Sequence, residues 1–184
     1  MNGEISIQTF TELGGVDQQF FYQTTASYMG TAYVDGWYTE DFATLADKTF
    51  TPGVGVMADA PDKVTFVYSG QVGLEKKTIP GPLGFSLSGN LRPMEVNIQD
   101  IVPENIGDYV NGELSIQTFT SLGGVDQQFF YQTTASYMGT AYVDGWYTED
   151  FATLADKIFA PGEGYMTDSP DAAIVLTYKA IPTK

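Results

Sequence analysis

The chain has 184 residues, 43% of them apolar and 14% aromatic, enough to pack the core of one ordinary domain or of two small ones. Charge is one-sided, with 23 acidic against 8 basic residues, a net charge of −15 and Arg92 as the sole arginine. Nucleic acid and anionic membrane, which need clustered cations, are therefore poor partners and are not expected. The absence of cysteine and histidine removes disulfides, thiolate nucleophiles, Cys/His zinc sites and histidine acid–base chemistry.

Met1 to Phe10 has no basic or apolar leader segment, so no signal peptide is expected there. No apolar run reaches the roughly 18 residues of a membrane span, and no membrane insertion is expected. Ile5 and Ile7 alternate with Glu4, Ser6 and Gln8, the period of a half-buried strand. Phe20, Tyr22 and Thr24 interleave with Phe21, Gln23 and Thr25 in a second strand, and Tyr28 to Val34 is β-branched and aromatic. Thr39 to Asp47 carries Phe42, Leu45 and Ala46 at helical spacing, which allows one or two turns of helix or a loop. Further strands are predicted at Val64, Phe66 and Tyr68, at Phe85 and Leu87, and at Met94, Val96 and Ile98. Pro103 to Gly112 reads as a polar loop with a short helical turn at Glu104 to Ile106. Turn residues separate the strands: Gly14-Gly15, Asp35-Gly36, Pro52-Gly53, Pro80-Gly81-Pro82 and Gly89-Asn90. The fold class expected is all-β, with antiparallel sandwich or barrel-like modules.

An internal repeat organises the chain. Residues 2–62 recur at 111–171 with an offset of 109, identical at 53 of 61 positions. The domains expected are a first block at 1–79 and a second at 80–184, two near-identical blocks with the second holding the intervening strands. A recent or engineered duplication, and identical contacts made by both copies, each account for the identity. Six of the eight differences fall between residues 49 and 60, among them Val54/Glu163 and Val56/Tyr165. A carboxylate is not buried cheaply without a partner, so this strand is expected to face different surroundings in the two copies. The edge is expected to be buried in copy one where copy two leaves it wet.

Gly84-Phe-Ser-Leu-Ser-Gly-Asn90 resembles the opening of β-rich modules in large secreted bacterial surface proteins. Asp35-Gly-Trp-Tyr38, followed by Pro52-Gly-Val-Gly55, is similar to the later part of such modules. The resemblance implies an exported structural protein at the cell surface or outside the cell, with copy one a module that lacks its opening strand. It carries over no catalytic residue.

Three chemistries have candidate residues. Asp35, Glu40 and Asp41, repeated as Asp144, Glu149 and Asp150, are the candidate calcium ligands, but their spacing is not that of an EF-hand and a solvated acidic loop is expected instead, with no cofactor. Trp37 and Tyr38, with Trp146 and Tyr147, are the candidate ligand face, where rings beside amides and carboxylates suit a glycan, a core or a protein contact. No two acids are singled out as a hydrolytic pair and no glycine-rich phosphate loop is present, so no enzyme is expected. The leading expectation is a non-enzymatic protein that associates with itself by strand sharing, as a filament or another homo-oligomer. Val54, Val56, Glu163 and Tyr165 are its assembly edge, and Val96 and Ile98 lie in the donated segment. A carbohydrate-binding or adhesive module and an engineered tandem are the alternatives.

Overall fold

The computed structural model describes residues 4–11, 15–25, 33–50, 54–62, 64–65, 75–81, 83–104, 113–134, 136–137, 140–169 and 173–180. It is all-β, with antiparallel sheets, none closed into a barrel, and no α-helix among the described residues. Two compact units divide the chain. One comprises Met1–Thr11, Gly15–Thr51 and Val56–Gly70; the other comprises Glu12–Gly14, Pro52–Gly55 and Gln71–Lys184.

The first unit holds one sheet built from β1 (Ser6–Phe10), β2 (Val16–Gln23), β3 (Gly36–Tyr38) and β4 (Met57–Asp59), in the order β3-β2-β1-β4. β1 and β2 form a hairpin with Ser6 opposite Phe21 and Ile7 opposite Phe20, and a bulge at Thr9/Phe10. Alternation then puts Ile7 and Phe20 on one face, where both are buried.

The second unit contains β5 (Lys77–Gly81), β6 (Gly84–Gly89), β7 (Val96–Asn97), a 3-10 turn at Ile98–Asp100, β8 (Ile101–Glu104), β9 (Ser115–Phe119) and β10 (Val125–Gln132). It continues with β11 (Ser136–Tyr137), β12 (Thr140–Ala141), β13 (Gly145–Tyr147), β14 (Ile158–Phe159), β15 (Gly164–Ser169) and β16 (Ile174–Tyr178). A five-stranded sheet, β13-β10-β9-β15-β6, and a three-stranded sheet, β5-β16-β8, share one core. Ile116, Phe129 and Tyr165 come to it from the first sheet, and Ile79, Ile101 and Leu176 from the second. This is the packing of a sandwich. The two sheet prolines, Pro80 and Pro103, sit in β5 and β8, the outer strands of the three-stranded sheet, where a missing ladder donor costs least.

The structure corrects several local expectations. Met94 to Ile98 is not a continuous strand: Asn97 Oδ1 accepts from the Gln99 backbone N–H at 2.8 Å and turns the chain into the 3-10 element, which buries Ile98. The strand β8 runs through Pro103 to Glu104, where a loop is expected from the sequence; 105–112 lie outside the described residues. Thr39 to Asp47 is an irregular turn closed by a bridge between Tyr38 and Leu45. The strands expected at 28–34 and 64–68 fall largely outside the described residues, and Tyr33, Val34, Val64 and Thr65 are not in strands.

Candidate functional site

Near-identical sequence in two surroundings shows where the units differ. In the second unit β6 covers the outer edge of β15 from Gly164 opposite Gly89 to Ser169 opposite Gly84. The residues after β6 then close the core. Ile98 and Ile101 are fully buried, and Val96 is buried beside Phe159. The Gln99 carboxamide acts as a clamp: its Nε2 donates to the carbonyls of Trp146 and Ala155, both at 2.8 Å, and its Oε1 accepts from the Trp146 backbone N–H at 3.0 Å. The Trp146 indole N–H donates to the Ile101 carbonyl at 2.7 Å, so the ring is satisfied at both its polar and apolar ends.

The first unit repeats the sheet of the second without a strand equivalent to β6 among the described residues. Its sheet ends at β4, whose described neighbour is β1 alone. Beside it lies a cavity of about 90 Å³ lined by Ile7, Phe20, Trp37, Ala46, Lys48 and Phe50. Each of these six has an identical counterpart 109 residues on: Ile116, Phe129, Trp146, Ala155, Lys157 and Phe159. The five apolar counterparts pack in one core with Val96, Ile98 and Ile101. Burial follows the difference: Phe159 is 0% exposed and Phe50 40%. The edge expected to be buried in copy one is therefore the more exposed one among the described residues, although the Gly55 N–H just before β4 donates to the Leu87 carbonyl of β6 at 2.8 Å. Val54 is half exposed and all three residues of β4 are exposed, while β15 is covered because the chain between the copies supplies β6.

The assembly residues are placed as follows. Tyr165 is fully buried, its ring 5.0 Å from that of Phe159, and its hydroxyl lies 2.7 Å from that of Tyr178. Tyr178 in turn donates to the Gly89 carbonyl at 2.9 Å. Burial pushes both phenols upward, Tyr165 well above the usual range. Glu163 is half-buried and accepts from Lys157 at 2.6 Å and from the Ala160 N–H at 2.8 Å. Lacking that carboxylate, block one pairs Lys48 with Gln18 Oε1 at 2.7 Å. Val56 is half-buried where Tyr165 fills the second core.

The aromatic candidates face inward. Trp146 is 0% exposed, Tyr38 and Tyr147 are buried and Trp37 is half-buried. The two tyrosines each donate to the carbonyl four residues back, Val34 or Val143, at 3.1 Å. Trp146, Tyr38 and Tyr147 have no open face on which a sugar ring could stack, whereas Trp37 lines the cavity of the first unit. The acidic turns are held by their own backbone. Asp41 accepts from the N–H groups of Ala43 and Thr44 and from the hydroxyls of Thr39 and Thr44; Asp150 repeats the pattern with Ala152, Thr153 and Thr148. These donors hold both carboxyls below the usual range, Asp150 at about 2. Asp35 and Asp144 accept from the N–H groups of Thr25 and Thr134. No group of three acidic residues suited to a metal occurs among the described residues.

A second hollow, of about 230 Å³, is lined by Arg92, Asp100, Tyr178 and Lys179 among others. Arg92 is buried and donates from Nη2 to the carbonyls of Glu75 and Lys179, at 2.8 and 2.9 Å, so its charge ties two chain segments together. Sequence reasoning missed this role and the Gln99 clamp, because a glutamine alternating with isoleucine reads as solvent-facing. No helix among the described residues is long and apolar enough to cross a membrane. Compared with known proteins, the chain matches no family model, no curated protein and no solved structure.

Proposed function

We propose that the chain is a non-enzymatic structural protein that assembles through strand completion, with the open edge of β4 as the acceptor. One observation carries this reading: the repeated block forms a five-stranded sheet edged by β6 in one unit and a four-stranded sheet in the other, where β4 has β1 as its one strand neighbour among the described residues and a largely apolar cavity remains. An open edge offers a row of N–H and C=O groups to any strand presented to it. A contact between β4 of one copy and a different strand of the next is heterologous and propagates as a filament or closes as a ring. A location outside the cell belongs to the same proposal and is supported by the motif resemblance alone; surface labelling of intact source cells tests it.

The test of assembly is light scattering of the intact chain over a wide concentration range beside Ala58→Lys, which places a charge on exposed β4 opposite Ile7, with far-UV circular dichroism checking that the variant folds. Growth of the particle with concentration, lost in Ala58→Lys, is the expected result. A 20 kDa monomer at every concentration, in both proteins, would sink self-assembly.

A further inference from the structure

We infer that the cavity of the first unit binds a small branched aliphatic carboxylate, with its isopropyl end among Ile7, Phe20, Trp37 and Phe50 and its charged end on Lys48. Every lining residue belongs to the first unit, so binding there does not depend on assembly.

The second unit shows what the same residues do when a carboxylate is within reach. Lys157, the counterpart of Lys48, places its ammonium 2.6 Å from the Glu163 carboxylate and 5.3 Å from the centre of the Phe159 ring. It takes the carboxylate although Gln127, the counterpart of Gln18, is retained. Block one has Val54 in place of Glu163, and there the lysine turns to the neutral Gln18 amide at 2.7 Å. Among the described residues Lys48 makes no ion pair. A carboxylate adds a Coulomb attraction that an amide carbonyl lacks. One brought to Lys48 therefore displaces Gln18, as Glu163 does in block two.

The apolar lining follows the same comparison. The counterparts Ile116, Phe129, Trp146, Ala155 and Phe159 are buried in one core with the aliphatic side chains of Val96, Ile98 and Ile101. In the first unit the lining residues leave a hollow of about 90 Å³, and Phe50 is 40% exposed. A water's share of liquid volume is about 30 Å³, so the hollow takes about three carbon groups, the size of an isopropyl group. A benzene ring is too large for it, and a cavity with mainly apolar walls suits hydrocarbon better than water. Lys48 itself lines the hollow, so the carboxylate must lie close to the branch. A short acid with a branched end, such as isovalerate, meets both demands.

The probe is isovalerate, titrated into the intact ¹⁵N-labelled chain and read from the indole N–H signals of Trp37 and Trp146; Trp37→Phe assigns them. The Trp37 signal should shift saturably, with a Kd of about 1–10 mM for a ligand this small, and the Trp146 signal should stay in place. Acetate, which has the charge without the branch, and 3-methylbutan-1-ol, which has the branch without the charge, should each bind at least five-fold more weakly. Lys48→Met, at an exposed position, should weaken isovalerate at least five-fold and leave the alcohol unchanged, which separates loss of the charge from loss of the fold. No saturable shift of the Trp37 signal, or equal shifts of both signals, overturns the site. Equal affinity for isovalerate and the alcohol, or full affinity in Lys48→Met, overturns the role of Lys48. Equal affinity for isovalerate and acetate overturns the role of the hollow.

Discussion

Gln23 and Gln132 are the residues whose chemistry is least satisfied. Each is fully buried at the end of its strand, β2 or β10, and neither the Nε2 nor the Oε1 of either has a hydrogen-bond partner among the described residues. On β10 the core takes Phe129 and Tyr131, so Gln132 shares the opposite face with Phe130, whose ring lies 4.8 Å from that of Phe151. A buried amide group left unpaired costs about 1–3 kcal/mol. Methionine has nearly the same length and no such requirement. Gln132→Met should therefore raise the stability of the second unit by about 1–3 kcal/mol, read as an upward shift of the denaturation midpoint. A lower midpoint would show that the amide is paired in solution. Nothing in the sequence marks these two glutamines: both alternate with aromatics as a solvent-facing residue would.

Within the elements, the segment from β6 to β8 works as one insert, and its grip is concentrated in the 3-10 turn. Gln99 bridges two carbonyls and one N–H of the loop around Trp146, and the N–H belongs to a fully buried residue. Gln99→Ala should lower stability by roughly 1–3 kcal/mol, because it leaves that backbone donor unsatisfied. Gln99→Glu should do no better, since a carboxylate cannot donate to the carbonyls of Trp146 and Ala155. Chemical denaturation of both variants checks this, and a neutral Gln99→Ala would mean the clamp is not formed. The strands β1, β2, β6, β9 and β10 were legible in the sequence because each alternates against one apolar face. The 3-10 turn was not, since Val96 and Ile98 keep the period of two while Asn97 caps a turn, a choice the local pattern leaves open. Nor was β8, where Pro103 argues for a loop until the strand is known to lie at a sheet edge. The cavity was not legible, because only packing shows that Ile7, Phe20, Trp37, Ala46, Lys48 and Phe50 line one hollow.

At the scale of the whole molecule, one polypeptide carries the same block in two states of completion. The second has a core of fifteen buried hydrophobic residues drawn from its sheets, the 3-10 turn and the loops between them. In the first, Phe50 and Met57 are exposed where their counterparts Phe159 and Met166 are buried and half-buried. Burial of apolar area is the main favourable term in folding, so the blocks should differ in stability even though they share most of their sequence. Trp37→Phe leaves Trp146 as the sole tryptophan and removes little from a half-buried site. In that variant, far-UV circular dichroism should show two steps in urea, the first from block one. Trp146 emission, which reports the second block, should change only in the later step. Coincident transitions by both probes would show that the missing strand leaves block one as stable as block two, and that its open edge carries no energetic deficit for a partner to relieve.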